Sequence, residues 1–217
     1  MFEDRRAITF PNFHTRQSSD RLSATPISII KEDLEGNITD RIQVNADFST
    51  INVVNGEPTG FSRPPSQADY VTWTRMFYND DQQLVKTLTY HNIPANDAGN
   101  VGEHYHVSTM HYDAQDRVTH RVQTVTASHH QVTRTEFDWM DRTVASYSGT
   151  GDSGLDTSPS SSIGVSPPTL PLTRVSSMEY DDGGVGDQLV TSTKRYYGTG
   201  TNAVSYTHLT LPTILLV

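Results

Sequence analysis

One phrase, repeated along the chain, constrains this sequence more than any other feature. An aromatic residue is followed by Asp or Asn, two variable residues, a polar turn residue, Arg or Gln, and a β-branched run. It reads Tyr78-Asn79-Asp80-Asp81-Gln82-Gln83-Leu84-Val85, then Tyr112-Asp113-Ala114-Gln115-Asp116-Arg117-Val118-Thr119, then Phe137-Asp138-Trp139-Met140-Asp141-Arg142-Thr143-Val144. An expanded copy runs from Tyr180-Asp181 through Gly183, Gly184, Gly186 and Asp187 to Leu189-Val190. A weaker copy, Glu32-Asp33-Leu34-Glu35-Gly36-Asn37-Ile38-Thr39, lacks the aromatic. Recurrence of this kind marks stacked supersecondary units. The aromatics lie 34, 25 and 43 residues apart, so insertions of different length separate the units.

Each copy is flanked by strand-like sequence. In Tyr70–Phe77 the two-residue period puts Val71, Trp73 and Phe77 on one face, and in His104–His111 it groups Tyr105, Val107 and Thr109. After Tyr112, residues Val118, His120 and Val122 alternate with Thr119, Arg121 and Gln123. The central Asp-x-x-Asp or Asp-x-x-Gly supplies turn chemistry, because Asp and Asn bond their own backbone and Gly takes positive φ. Each unit therefore reads as a strand, an acidic turn and a strand. A lone hairpin is marginal in water, so the units must pair with neighbours to bury their aromatics. The repeat Arg is expected to lie across an adjacent ring or to pair with a turn Asp. One ordinary β-sandwich with coincidental Tyr-Asp pairs is the alternative.

Composition agrees. The chain has 217 residues, among them 28 Thr, 21 Ser and 18 Val, and only 19% are charged. Thr, Val, Tyr and Phe suit a pleated, half-buried surface. The net charge of −9 argues against a general nucleic-acid binder, which needs a basic stripe. With no cysteine there is no disulfide, no thiol nucleophile and no Cys-based zinc site. Residues Met1–Arg21 hold no charged start followed by an apolar run, and the longest apolar stretch, Ile214–Val217, falls short of a membrane span of about 20 residues.

The expected organisation is a divergent β/loop region with one weak repeat over 1–69, YD-type repeats over 70–148, a Ser/Pro/Gly-rich loop or linker over 149–173, a further repeat over 174–203, and a tail over 204–217. Asn55–Pro65 and Asn92–Gly102 read as further breaks, since Gly and Pro punctuate both. No segment shows helical periodicity over ten residues or more. The tail string Val204 to Thr213 resembles a translated sequencing adaptor, which makes 204–217 a non-native ending and the chain a fragment.

The repeated phrase resembles the YD-repeat (Rhs-type) family, with a planctomycete-like variant. The carriers are Tyr112-Asp113 with Asp116-Arg117-Val118, Phe137-Asp138-Trp139 with Asp141-Arg142, and Glu179-Tyr180-Asp181-Asp182-Gly183-Gly184 with Val190-Thr191. The resemblance spans about residues 70 to 200. It implies an all-β fold of antiparallel hairpin repeats in a spiral sheet that forms part of a hollow shell, with Tyr78, Asn79, Tyr112, Asp113, Asp116, Arg117, Phe137, Asp138, Asp141, Arg142, Tyr180 and Asp181 as structural motif residues. Members include bacterial polymorphic toxins, toxin-complex components and animal teneurins, usually exported or surface-exposed. This chain lacks the core-ending Asp-Pro-x-Gly motif, so neither the self-cleavage site nor a toxin domain is expected in it.

Chemistry is sparse. His104 and His106 are expected on one strand face and His111 on the other, too few to hold a metal without further ligands. Ser128 and His129 are strand neighbours expected to face opposite ways. Asp80-Asp81 and Asp181-Asp182 read as turn formers rather than a calcium loop, and Asn37-Ile38-Thr39 fits a glycosylation sequon. No Gly-x-Ser-x-Gly elbow or phosphate loop is present. The expected role is a non-catalytic shell or scaffold, with no cofactor and no metal. Its expected partners are the rest of a larger parent chain and an enclosed effector domain, and its expected place is extracellular or the cell surface. The alternative is a glycan-binding adhesion module, with Trp73 and Trp139 as candidate sugar contacts.

Overall fold

A computed structural model describes residues 5–9, 27–44, 51–54, 57–126, 128–151, 171–181, 189–197 and 203–206. Among these the regular structure is strand, apart from 3-10 conformation at Gln67–Asp69 and at Asp181, and no helix is long and apolar enough to cross a membrane. The protein is all-β, built from antiparallel hairpins. Its strands fall into two compact units. The first holds the described residues up to Thr109 together with Thr124–Thr126; the second holds Met110–Gln123 and those from Ser128 onward.

In the first unit the strands are β1 (Arg5–Thr9), β2 (Ile27–Glu32), β3 (Ile38–Val44), β4 (Ile51–Val54), β5 (Glu57–Phe61), β6 (Tyr70–Tyr78), β7 (Leu84–Tyr90) and the start of β8 (Tyr105–Tyr112). They are hydrogen-bonded in the order β1-β2-β3-β6-β7-β8, with β4-β5 as a separate hairpin. Cross-strand register explains the core. Ile27 faces Val44, Ile29 faces Ile42, Ile42 faces Trp73, Leu88 faces Val107 and Tyr90 faces Tyr105. Every one of these nine residues is buried. Because the side-chain period is two, one register places the whole row on a single face. Each buried aliphatic contributes about 1.5–3 kcal/mol of transfer free energy.

The second unit holds the end of β8, β9 (Val118–Thr126) as far as Gln123, β10 (His129–Phe137), β11 (Thr143–Gly151), β12 (Thr173–Tyr180), β13 (Val190–Tyr196) and β14 (Ala203–Tyr206), each neighbouring the next. Its buried apolar residues among those described are Val122, Val132 and Ala145.

Four expectations need correction. Val71 does not share the face of Trp73: Tyr70 pairs with Val44 and Trp73 with Ile42, so Val71 is the extra residue of a bulge and turns to solvent. The break at Asn55–Pro65 contains β5, in which Pro58 pairs with Val53 beside a register shift, a position where a missing N–H is tolerated. The loop expected from residue 149 begins later, because β11 runs through Gly151. Gly149 allows this: a Cβ there would sit 2.8 Å from Leu172 Cδ2 and 3.0 Å from the Pro171 carbonyl. Last, Ala203–Tyr206 pairs with β13, so the strand crosses into the expected tail. The interior of the linker, 152–170, and the tail beyond 206 lie outside the described residues.

Candidate functional site

Four of the five copies of the repeated phrase fold into the same turn. At the Asp113 turn, the Asp113 N–H donates to the Arg117 carbonyl at 3.0 Å, and the Asp116 N–H donates to the Asp113 carbonyl at 3.1 Å. Asp113 Oδ1 accepts the Arg117 N–H at 3.0 Å, and Oδ2 accepts the Arg117 Nε–H at 2.8 Å. Asp116 supplies the left-handed residue, at φ 62°. The Asp138 turn repeats this, with Asp141 at φ 63°, the Arg142 N–H on Asp138 Oδ1 at 3.0 Å and Arg142 Nε on Oδ2 at 2.7 Å. At the Asp33 turn Gly36 takes φ 91°, and the Asn37 N–H and side chain donate to the two Asp33 oxygens at 2.8 and 3.1 Å. At the Asn79 turn Gln82 takes φ 62°, Asn79 Oδ1 accepts the Gln83 N–H at 2.8 Å, and Asn79 Nδ2 donates to Gln83 Oε1 at 2.7 Å. In the expanded copy the Asp181 N–H closes on Leu189, eight positions on rather than four, at 3.2 Å, and Asp181 itself has φ 55°.

The Asp33, Asn79, Asp113 and Asp138 copies are tight turns, and ladder register slips just before three of them, at Lys31/Glu32, Phe77/Tyr78 and Glu136/Phe137, leaving a bulge on the strand that follows; the same slip stands at Glu179/Tyr180 before the expanded copy. A threonine covers the carbonyl two residues before the turn Asp. Thr39 donates to Lys31, Thr119 to His111 and Thr191 to Glu179, at 3.4, 3.2 and 3.1 Å. This hydroxyl explains the Thr in these three copies, whereas the Asn79 and Asp138 copies carry Val85 and Val144 at the matching position.

Successive turns are linked through the motif aromatics. Tyr78 Oη donates to the Ile38 carbonyl at 3.1 Å, and Tyr180 Oη to the Thr143 carbonyl at 3.0 Å, each reaching the first strand residue after the preceding turn. Tyr112 Oη lies instead near Met110 Sδ, at 4.0 Å. In the second unit the arginines add a further link. Arg117 lies 4.9 Å from the Phe137 ring centroid while its Nη1 donates to the Asp138 carbonyl at 2.9 Å and to Asp141 Oδ1 at 2.8 Å. Arg142 lies 4.4 Å from the Tyr180 ring centroid and bonds Asp181 Oδ2 at 2.6 Å. Sequence reasoning treated ring stacking and Asp pairing as alternatives; both arginines do both.

These contacts set the charge states. The Arg117 guanidinium holds the Asp113 carboxyl below its ordinary value, and Asp113 in turn raises Arg117. Burial works against the Asp138 carboxylate, but the Arg142 N–H and guanidinium and the Met140 N–H together lower its pKa. Arg142 is raised, first by Asp181 and then by Asp138.

The two candidate sugar contacts part company. Trp139 stands at the tip of its turn, 82% exposed. Trp73 does not qualify: it is 8% exposed, stacks on Tyr90 at 4.1 Å and 13°, and donates its Nε1–H to Asp40 at 2.7 Å. Both of its polar and aromatic capacities are used inside the first unit.

Sequence reasoning missed a cross-strand row in the second unit. Glu136 takes the Tyr147 hydroxyl at 2.8 Å, Arg174 Nη2 donates to the same hydroxyl at 2.8 Å, and Arg174 lies 5.8 Å from the Tyr196 ring centroid. These residues sit outside the repeated phrase and become neighbours only through pairing. Of the histidines expected on the strand, His106 lies in β8 and His104 just before it. His106 stacks on His91 at 4.6 Å, and His104 Nδ1 accepts the Asn100 N–H at 3.1 Å. Ser128 Oγ and His129 Nδ1 lie 3.0 Å apart on the exposed surface where the turn residue Ser128 meets the first residue of β10, so strand alternation does not separate them. Among the described residues no group of three or more His, Asp or Glu is arranged to hold a metal ion.

Two clefts lie between successive turns. One, of about 480 Å³, sits between the Asp33 and Asn79 turns; the other, of about 370 Å³, sits between the Asp113 and Asp138 turns and includes Arg117 in its lining. Comparison of the chain with known families finds no matching family model, and a search among curated proteins finds no match.

Proposed function

We propose that this chain is a non-catalytic structural segment of a larger YD-repeat-type protein, a scaffold whose hairpins enclose or display other domains outside the cell or at its surface. The observation that carries this reading is the linkage of turn to turn. Side chains that a catalytic site would leave available, the arginines and carboxylates of the motif, are spent on one another and on the neighbouring ring. Their partners are the rest of the parent chain and an enclosed domain, and no cofactor enters. Among the described residues the outer strands β1 and β14 each have one hydrogen-bonded neighbour, and an unpaired strand edge recruits further strands. Sedimentation velocity over a concentration series tests this: self-association that deepens with concentration is expected, and a cooperative monomer throughout overturns the reading.

One observation favours a second reading. Trp139 offers a bare indole face at a turn tip, suited to stacking on a sugar ring. Glycan-array binding that disappears in Trp139→Ala, with the circular-dichroism spectrum unchanged, would replace scaffolding by adhesion.

A further inference from the structure

The two inter-turn clefts are the same place in two repeats. Aligning the turns on Asp33 and Asp113 matches Asn37 with Arg117 and Thr39 with Thr119; aligning on Asn79 and Asp138 matches Tyr78 with Phe137 and Gln82 with Asp141. All of these but Asp138 and Asp141 line one cleft or the other. In the second unit the guanidinium of Arg117 occupies this position. It is bonded to Asp113 Oδ2, the Asp138 carbonyl and Asp141 Oδ1, and it lies over the Phe137 ring. In the first unit the matching residue is Asn37, whose short amide stops at Asp33 Oδ2, 3.1 Å away. What surrounds it is the arginine's environment without the arginine: the Asp33 carboxylate, the Tyr78 ring, and the acceptors of Asn79 and Gln82. Glu35 and Asp80 add negative charge, and the cleft's described lining includes no basic residue.

We propose that the cleft between the Asp33 and Asn79 turns receives an arginine side chain from another polypeptide segment. Arg142 shows independently that this chain seats a guanidinium between a turn Asp and the next repeat's ring, there with Asp181 as the second acceptor. A guanidinium suits the cleft better than an ammonium, because its plane stacks on a ring while its fork bonds acceptors at the rim. The Tyr78 hydroxyl is raised by burial and then by the field of Asp33, against an opposing Arg41. This inference stands apart from the scaffold reading, since it needs only the local cleft.

The test is a titration of the 217-residue chain with acetyl-arginine amide, followed by backbone amide NMR shifts. Saturable shifts are expected at residues 33–37 and 78–83, with acetyl-lysine amide about tenfold weaker. Asn37→Arg places a guanidinium where Arg117 has one in the matching cleft, and should abolish the shifts while raising the melting temperature. A Glu35→Gln/Asp80→Asn double variant leaves the turn hydrogen bonds in place and should weaken binding severalfold. The proposal is overturned by absence of saturation, by lysine binding as well as arginine, by undiminished binding in folded Asn37→Arg, or by no change in the double variant.

Discussion

In the first unit the Asp33 and Asn79 turns are closed by the amides of Asn37 and Gln83, and the sheet carries a continuous row of buried Ile, Val, Leu, Trp and Tyr. In the second unit the Asp113 and Asp138 turns are closed by arginines that reach the next turn, and the sheet carries the Glu136, Tyr147 and Arg174 row. Both units use one turn backbone. They differ in what joins one hairpin to the next: area removed from water in the first, charge-assisted hydrogen bonds and rings in the second. Burial is non-directional and grows with area, whereas charge-assisted bonds depend on geometry and protonation. The first unit should therefore answer to core volume, and the second to pH and to guanidinium geometry.

The largest effect should come from the core. Trp73→Ala removes the ring stacked on Tyr90 and leaves Asp40 without its indole donor. It should destabilise the first unit by about 3–5 kcal/mol. Urea denaturation with hydrogen exchange read separately on β6–β7 and β10–β13 checks this, and equal loss in both units would break the comparison.

A smaller gain is expected at Gln82, the one left-handed turn position filled by neither Gly nor Asp among the Asp33, Asn79, Asp113 and Asp138 turns. Relief of the left-handed penalty, less glycine's extra chain entropy, should make Gln82→Gly more stable by roughly 0.5–1 kcal/mol. A lower melting temperature would show that its side chain matters more than its backbone.

A smaller shift still, in the opposite direction, should follow Arg142→Lys, which keeps the charge but loses the flat stack on Tyr180 and the paired bonds to Asp138 and Asp181. Faster exchange at the Asp181 and Leu189 amides, with β3 and β6 unchanged, is the expected readout.

The most graded effect is acid sensitivity of the second unit. Burial lowers His111 and His120 below 6.5, the latter also through Arg134 and His111. Their folded pKa values are depressed, so the unfolded chain binds protons first and stability falls as pH drops below 6.5 toward those values. A second loss follows below 3.8, where protonation releases Asp113 and Asp138 from their arginines. Melting from pH 7.5 to 5 should show the first step in the second unit, and His111→Gln/His120→Gln should flatten it.

Much of the local structure was legible in the sequence. The phrase marked the four regular turns, including the weak copy at Asp33, because a side chain that bonds its own backbone and a residue that tolerates positive φ act within five residues. The alternation of Tyr105 with Val107 and of Trp73 with Phe77 located strands for the same local reason. Less of the site was legible. Trp73 read as a candidate sugar contact because period two tells which residues share a face and not whether that face is covered.

What the sequence determined by itself was the turn and its two flanking strands, since those bonds close within a few residues of one another. Tertiary structure alone decided that pairing of Ile42 with Trp73 would bring Asp40 within reach of the indole N–H, that Tyr147 would stand between Glu136 and Arg174, and that Asn37 would face a cleft matching the one that Arg117 lines. Each depends on which strand lies next to which, and in what register. Those are long-range pairings, and no local periodicity encodes them.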